Sequence, residues 1–406
     1  MKILQINKFY FEQGGTERYF FDLIKLLEKH GHKVIPFAME HKNNLKTDYA
    51  RYFPSFVDTL RLGISPNKLK AIGRMFYSFE AKRQLEALIK KERPQIAHIH
   101  NIYHQISPSI LPVLKKYQIP AVMTVHDYKL ICPNYTLYTE GAPCERCKGG
   151  RYCQAFYHRC LKDSYAASAL VALEMHFHKW LKIYQNNIDL FITPSDFVRE
   201  KLTSFGINAQ KIMVLPHFIE SQTMEPEYNE GKYLLYAGRL KKEKGVDVLI
   251  EAMKNLPQVE LRIAGTGPDE QALKKSAEGL SNVKFLGQVA QSEMAGLYRQ
   301  ALAVVIPSRV WETFGLTAAE SMAFGKPVIA AKMGALPELV KEGQTGSLFE
   351  SENPADLAKK IEFLVKNTAQ ARTMGEAGQR NIIGTLSEEK HYQDLMKIYH
   401  ELSTKH

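Results

Sequence analysis

The chain has 406 residues, of which 45% are hydrophobic and 24% charged, a composition typical of a soluble globular protein with room for two domains. Its apolar runs are far shorter than the roughly 20 residues that a membrane-spanning helix needs, and the first residues, MKILQINKFY, lack the features of a secretory signal. These features argue against a membrane-spanning or secreted protein, and we expect a cytoplasmic one.

The formal net charge of +11 is unevenly distributed. Residues 1–216 contain 31 Lys and Arg against 18 Asp and Glu, a net of +13, whereas residues 217–406 contain 23 against 25, a net of −2. Such asymmetry is typical of proteins that bind nucleic acid, anionic lipid or an anionic substrate, although a well-solvated surface gives the same count. No nucleic-acid recognition motif accompanies the charge, and aromatic residues do not interleave with it as in a stacking platform.

Short apolar runs alternate with helical patterns through the first half of the chain. The runs KILQI, KVIPFAM, IAHIH, AVMTVHD and LFITPS predict strands, and TERYFFDLIKLLEKHG predicts an amphipathic helix that ends at Gly31. Residues 66–93 have a basic helical pattern. A cysteine-rich insertion at about 130–162 separates the last two strands.

All five cysteines lie in or beside this insertion. Cys144 and Cys147 form a Cys-x-x-Cys pair, and Cys132 and Cys160 could complete a tetrahedral zinc site. The alternative is a set of reduced thiols, because disulfides are rare in a cytosolic protein. The sequence leaves both interpretations open.

The alternation of strand and helix patterns is interrupted near residues 212–219. The acidic, turn-rich residues 220–231 that follow are interpreted as an interdomain linker. The second half contains the apolar runs YLLYAG, ELRIAG, VKFLG, AVVIPS, PVIAA and GSLF, separated by helical segments. The last segment, SEEKHYQDLMKIYHELS, has the pattern of an amphipathic helix that could cross the domain junction.

This alternation of strands and helices predicts parallel sheets covered by helices on both faces, and thus an α/β fold. We expect two Rossmann-like domains, at 1–216 and 217–385, with residues 386–406 returning towards the first. Ligands of such folds bind at the carboxyl ends of the strands, so the cleft between the domains is the expected site.

The stretch PSRVWETFGLTAAESMAFGKPVIA (residues 307–330) is the most informative motif. A helix is predicted over 317–324, which places Phe314, Gly315 and Leu316 at the turn that enters it. The free N–H groups of a helix N-terminus suit a phosphate, and glycine permits close approach of a ligand. Glu312 and Glu320 suit sugar hydroxyls. Alternatively, Thr317 and Glu320 form a capping box and Glu312 is a solvated loop residue.

Three further motifs also follow predicted strands. In YAGRLKKEKG (236–245), Arg239 and Lys244 could hold a diphosphate, or the segment could be an ordinary charged loop. In QGGTERYF (13–20), Gly14 and Gly15 permit close approach of a ligand, although this is not the nicotinamide fingerprint and an ordinary glycine turn is the alternative. In TVHDY (124–128), His126 ends a strand where it can reach a bound substrate, although a lone histidine is more often structural.

Together these motifs, with GALPELV at 334–340, resemble family 4 of the retaining glycosyltransferases over nearly the whole chain. The resemblance implies the GT-B fold, in which two Rossmann-like domains face each other across a cleft. The sequence departs from the family at PHFI (216–219), where Pro-Asn-Gly-Val is frequent, and at Thr313 and Ala335, where glycine is frequent.

The resemblance also implies a role for each matching residue. Arg239 and Lys244 would hold the diphosphate of a nucleotide-sugar donor, with N–H groups from Phe314, Gly315 and Leu316. Glu312 would bind the transferred sugar and Glu320 the ribose. Gly14 and Gly15 would close over the phosphates, and His126 would lie near the anomeric carbon.

The implied reaction is metal-independent and cofactor-free transfer, with retention, from a UDP- or GDP-sugar to a glycan or lipid-linked acceptor in cell-surface polysaccharide, lipopolysaccharide or glycolipid synthesis. The basic N-terminal half, including residues 67–91 and 176–184, would dock on an anionic membrane. The alternatives are a sugar-phosphate synthase or phosphorylase, a catalytically weak sugar-nucleotide binder, and a basic nucleic-acid-binding protein.

Overall fold

The computed structural model describes residues 1–57, 66–220, 224–228 and 231–404, with the side chains of 66–70 left out. Parts of the predicted linker, at 221–223 and 229–230, therefore lie outside the described residues, as do the first side chains of the basic segment 67–91. The described chain forms two large sheets and one small hairpin.

The first 220 residues alternate strands and helices, as their sequence pattern predicts. The strands are β1 (Lys2–Ile6), β2 (Lys33–Phe37), β3 (Ile96–Ile99), β4 (Ala121–Thr124), β5 (Tyr138–Thr139), β6 (Ala142–Pro143), β7 (Leu190–Thr193) and β8 (Ile212–Val214). The α-helices are α1 (Gly15–Lys29), α2 (Pro66–Phe76), α3 (Phe79–Glu92), α4 (Leu111–Lys116), α5 (Gln154–Tyr157), α6 (Tyr165–Trp180), α7 (Ile183–Asn187) and α8 (Asp196–Ser204).

Six of these strands form a parallel sheet in the order β2-β1-β3-β4-β7-β8. The strands are almost wholly buried because helices cover both faces, which is why they read as continuous apolar runs. β5 and β6 pair as an antiparallel hairpin within the cysteine-rich insertion.

The second half repeats the pattern. Its strands are β9 (Tyr233–Ala237), β10 (Leu261–Ala264), β11 (Val283–Gly287), β12 (Ala301–Ile306), β13 (Val328–Ala331) and β14 (Gly346–Phe349). Its α-helices are α9 (Val246–Met253), α10 (Glu270–Ser276), α11 (Gln291–Gln300), α12 (Leu316–Ala323), α13 (Leu336–Leu339), α14 (Pro354–Lys366), α15 (Thr368–Thr385) and α16 (Glu388–Ser403).

The second sheet is also parallel, in the order β11-β10-β9-β12-β13-β14. Strand order reverses between β9 and β12, and the loops that leave these two strands diverge to opposite sides of the sheet. In a doubly wound sheet this divergence opens the crevice where ligands bind. The loop after β9 carries Arg239 and Lys244, and the loop after β12 carries Glu312.

Three local predictions differ from the structure. The basic segment 66–93 is two helices, because Ser78 caps a new helix by accepting a hydrogen bond from the Ala81 N–H. Residues 212–219, where no element was predicted, begin with an edge strand, β8. The helix predicted over 317–324 begins one residue earlier, at Leu316, and its N-cap is Gly315, so Thr317 does not form a capping box with Glu320.

The C-terminal helix α16 packs back on the first domain, as predicted. Leu395, Ile398 and Tyr399 are buried against β1 and α1 in one apolar cluster. Its His391 bonds the Tyr19 hydroxyl (3.0 Å) and the Pro216 carbonyl (2.9 Å). The end of the chain is therefore part of the first domain's core. Among the described helices, none has both the length and the apolar composition required to cross a bilayer.

Candidate active site

Lys244 and Glu312 meet at the point where the order of the second sheet reverses. Lys244 Nζ donates to Glu312 Oε1 at 2.6 Å, and the Ser308 hydroxyl donates to the same oxygen. Burial raises the pKa of Glu312, but the cation and the hydroxyl outweigh burial and hold it below its ordinary value. Glu312 is therefore an ionised hydrogen-bond acceptor beside a cation.

The turn after Glu312 brings backbone N–H groups to the same place. Gly315 has φ of +103°, and a Cβ there would lie 2.9 Å from Leu336 Cδ2, so a larger residue would be strained and crowded. Phe314 is buried, whereas Leu316 reaches across the cleft: a Cβ on Gly15 would lie 3.2 Å from Leu316 Cδ1. The N-termini of α1 and α12 thus face each other with a glycine at each, and Gly14 is the N-cap of α1.

Glu320 has direct partners that the sequence analysis did not anticipate. The Arg18 guanidinium of α1 donates to Glu320 Oε1 from across the cleft, and the Tyr298 hydroxyl donates to Oε2 at 2.8 Å. Glu320 is buried and lies on the first turns of α12. The only sequence signal for Arg18 was its position one turn beyond the Gly-Gly pair.

His126 ends a hydrogen-bonded row of polar side chains. Gln5 Oε1 accepts from His100 Nε2 (2.9 Å), and His100 Nδ1 lies 2.9 Å from His126 Nε2. Burial lowers the pKa of His100 well below its ordinary value and that of His126 to about 3, so both rings are neutral near pH 7. His126 Nε2 therefore carries the proton, and Nδ1 is left as an acceptor suited to a sugar hydroxyl.

Thr313 and His217, two residues at or beside the family departures, contact this row. The Thr313 hydroxyl donates to the His126 carbonyl across the cleft at 3.2 Å. The His217 ring stacks on His126 with centroids 5.2 Å apart and contacts the Tyr19 ring in a tilted arrangement at 4.1 Å. Its Nδ1 is buried without a hydrogen-bond partner among the described residues. The hinge sequence PHFI thus contributes an imidazole wall to the cleft.

Two adjoining cavities occupy the cleft and share Arg239. The larger, about 680 Å³, is lined by Arg18, Thr266, Tyr298 and Glu320 as well as Arg239. The smaller, about 340 Å³, contains the other predicted residues of the site: Gly15, His126, Lys244, Glu312, Phe314, Gly315 and Leu316. The structure therefore brings together every predicted site residue except Gly14, which adjoins the cleft at the N-cap of α1. Arg18, Tyr298, Ser308 and His217 are additional residues that the sequence analysis missed.

The structure describes all four cysteines that were considered for a zinc site. Among the described residues, no group of three or more His, Cys, Asp or Glu side chains is placed to hold a metal ion. Cys132, Cys144, Cys147 and Cys160 are free thiols. Burial raises the pKa of Cys132 to about 11, so its thiol stays protonated near neutral pH. The zinc and reduced-thiol interpretations both stay predictions.

The fold and the cleft together define a class of protein. Two Rossmann-like domains enclose a pair of cavities, and cationic side chains lie between the two cavities. Comparison with known sequences gives the family. Residues 13–223 match Glycosyltransferase Family 4, and residues 219–381 match Glycosyl transferases group 1. The chain belongs to the group 1 glycosyltransferases of family 4 type, and it has their GT-B fold.

Its relatives include an uncharacterized glycosyltransferase, MJ1178, of Methanocaldococcus jannaschii, which is 26% identical over 99% of both chains. D-inositol 3-phosphate glycosyltransferase of Corynebacterium aurimucosum is 36% identical over 36% of this chain and 38% of its own. The fold matches sucrose-phosphate synthase of Thermosynechococcus elongatus with a TM-score of 0.74, at 21% identity over all of both chains. It also matches Anabaena HepE, solved with UDP-glucose, with a TM-score of 0.69, at 18% identity over 99% of this chain and 100% of that one.

Proposed function

We propose that this glycosyltransferase moves a hexose from a nucleotide-diphosphate sugar to a glycan or lipid-linked acceptor, with retention of anomeric configuration. The observation that carries the proposal is the pair of cavities that share Arg239. The larger cavity suits a nucleoside, the smaller suits a sugar, and an arginine between them suits the diphosphate that joins the two.

The charges of the site suit a departing diphosphate. Arg239 and Lys244 supply positive charge, and the N-termini of α1 and α12 supply free N–H groups. The Lys244 ammonium pairs with the Glu312 carboxylate, so a diphosphate would compete for it or share it. These groups can stabilise the leaving group without a metal ion, which supports the proposal of metal-independent transfer.

The sugar pocket presents acceptors that suit sugar hydroxyls. The Glu312 carboxylate is ionised, and His126 presents an unprotonated Nδ1. Attack by the acceptor from the donor's leaving-group face would place its proton near a diphosphate oxygen, which can accept it. In this scheme Glu312 positions the sugar and is not the nucleophile.

The donor base is proposed to be uracil, with guanine as the alternative. The fold neighbour HepE was solved with UDP and UDP-glucose. The loop after β10 and residues of α11 border the larger cavity, where they can contact the base.

We further propose that the enzyme works at the cytoplasmic face of a membrane in cell-surface glycan or glycolipid synthesis, since the first domain carries the excess positive charge.

The test is a thermal-shift panel of UDP, GDP, ADP and their hexose conjugates with wild type, Arg239→Ala and the neighbouring surface variant Lys242→Ala. A ligand that binds only the folded state raises the melting temperature. We expect UDP-sugars to give the largest shift, Arg239→Ala to weaken diphosphate binding about tenfold or more, and Lys242→Ala to behave as wild type.

Product analysis then tests the reaction itself. NMR of the glycoside formed should show the donor's anomeric configuration, and activity should survive EDTA. Absence of a shift with every nucleotide, together with absence of sugar transfer, would contradict the proposed function. Inversion of configuration would contradict the retaining mechanism alone.

A further inference from the structure

Helix α6 (Tyr165–Trp180) leaves large apolar side chains exposed although it also buries polar ones. Its buried face combines Ser168, Glu174 and His178 with small and apolar residues, which are Ala167, Val171, Ala172 and Met175. By contrast, Leu173 is 60% exposed and Trp180 is 77% exposed. A helix that covers a globular core normally directs its large apolar side chains inward. Core packing therefore does not explain the outer face of α6.

Polar contacts on the buried face of α6 attach the helix to the rest of the first domain. Lys129 Nζ donates to Glu174 at 2.6 Å, and Glu174 is completely buried. His178 Nε2 bonds the Phe76 carbonyl at 2.9 Å. Lys129 follows His126 by three residues, so α6 is fixed to the loop that forms the acceptor-side wall of the cleft.

The exposed apolar side chains lie along one side of α6 and on the neighbouring α5. Tyr165, Leu173 and Trp180 are spaced by eight and seven residues, which places them on one side of an α-helix. Phe156 of α5 contacts Tyr165 with ring centroids 5.2 Å apart, and Tyr157 extends the surface. We call these five residues the aromatic face. Six of the fourteen exposed large apolar side chains in the described residues lie within 156–181, so the clustering is local.

Two cationic side chains, Arg159 and Lys179, border the aromatic face, and Arg159 also pairs with Asp163. Residues 148–182 contain six Lys and Arg against two acidic residues, of which Glu174 is buried and paired with Lys129. The Arg159 guanidinium lies 5.6 Å from the Tyr165 ring centre, and Lys179 is exposed beside Trp180. Exposed Tyr and Trp bordered by Lys and Arg is the composition that binds the headgroup region of an anionic bilayer.

We propose that the aromatic face is the membrane-docking surface of this enzyme, and that it inserts shallowly into an anionic bilayer. The inference rests on the proposed lipid-linked acceptor and names the surface that brings the enzyme to it. Because α6 is bonded to the loop after His126, docking would hold the acceptor-side wall of the cleft in a fixed orientation to the membrane.

The test is sedimentation with vesicles of phosphatidylcholine containing about one-third phosphatidylglycerol, compared with phosphatidylcholine alone. The variant is Leu173→Ser with Trp180→Ser. Its matched control is Phe363→Ser with Ile383→Ser, which removes two exposed apolar side chains of the second domain. We expect wild type and control to bind the anionic vesicles and the α6 variant to bind about tenfold or more weakly.

Fluorescence gives an independent measurement, because Trp180 and Trp311 are the two tryptophans of the chain. Brominated lipid should quench wild-type emission, and Trp180→Phe should remove most of that quenching while the protein still sediments with vesicles. Unchanged melting temperature and UDP binding in each variant would show that the fold and the donor site are intact.

The outcomes separate this proposal from the proposed function. Equal vesicle binding by the α6 variant and the control, or no binding by wild type, would overturn the docking surface. So would self-association of the wild type that the α6 variant abolishes, since the face would then be a contact between copies. Transfer to a water-soluble acceptor needs no vesicle, so its success or failure tests the proposed function alone.

Discussion

Glu312 is ionised, and its charge is paired within the site. The Lys244 ammonium and the Ser308 hydroxyl both donate to its carboxylate. Loss of the carboxylate would leave Lys244 free to bind phosphate but would remove an acceptor for the sugar. The residue therefore allows donor binding and sugar positioning to be separated by mutation.

We expect Glu312→Gln to lower kcat/KM for sugar transfer by about 100-fold or more while UDP binding stays within about threefold of wild type. The amide keeps the size of the side chain but loses its charge. Steady-state kinetics and calorimetry measure the two effects. Glu352→Gln, whose carboxylate pairs with Arg309, is the control. An equal loss of UDP binding and of transfer would indicate that Glu312 holds the structure of the site instead.

At the scale of elements, the contact between α1 and α12 joins the two domains at the donor cavity. Arg18 extends from α1 to the buried carboxylate of Glu320 on α12, where Tyr298 also bonds. A buried carboxylate that loses its cation costs free energy unless another donor replaces it. This pair is therefore a structural link between the two domains as well as part of the cavity wall.

We expect Arg18→Ala to lower the free energy of unfolding by about 1–3 kcal/mol, because Glu320 keeps only the Tyr298 hydroxyl. Combining it with Glu320→Gln should restore part of the loss, giving a coupling of about 1 kcal/mol. Urea unfolding measures both. Lys25→Ala, which removes an exposed partner of Asp22 on the same helix, should cost less than about 0.5 kcal/mol. Additive losses in the double variant would disprove the direct coupling.

At the scale of the whole molecule, buried imidazoles join the first sheet, the hinge and the C-terminal helix. Burial lowers the pKa of His98 and His126 to about 3 and that of His391 to about 4. It also lowers the pKa of His100 and His217 well below the ordinary value. In the unfolded chain these groups bind protons near pH 6.5, so unfolding takes up protons at mildly acidic pH.

Acid therefore destabilises the fold through these histidines. The histidine contribution to stability is fully present above about pH 6.5 and is lost as pH falls towards 4, at up to about 1.4 kcal/mol per pH unit for each group. We expect His391→Gln to reduce the loss of unfolding free energy between pH 7 and pH 5 by about 1–2 kcal/mol. Urea unfolding at both pH values measures this, with the exposed His176→Gln as the control. Parallel losses in wild type and His391→Gln would rule out the contribution of His391.

The sequence alone determined the parts of this protein that depend on local pattern. Apolar runs separated by helical segments specify buried parallel strands, and glycine followed by a helix specifies a phosphate-sized turn. The α/β class, the strands of the two large sheets other than β8, and the cleft residues that belong to these motifs were therefore predictable. The tertiary structure alone decided which side chains meet. Arg18 is 302 positions from Glu320, and no local pattern encodes that contact.

Contacts between residues that are distant in the chain also explain the other differences between the sequence-based predictions and the structure. His217 becomes a wall of the cleft only when the hinge folds between the domains, and the row from Gln5 to His126 exists only because β1, β3 and β4 are neighbours in the sheet. The exposed apolar face of α6 was equally invisible in its sequence, since a helix with apolar residues on all sides does not show which side it buries. Packing against Lys129 decided that Glu174 lies inside and Trp180 outside.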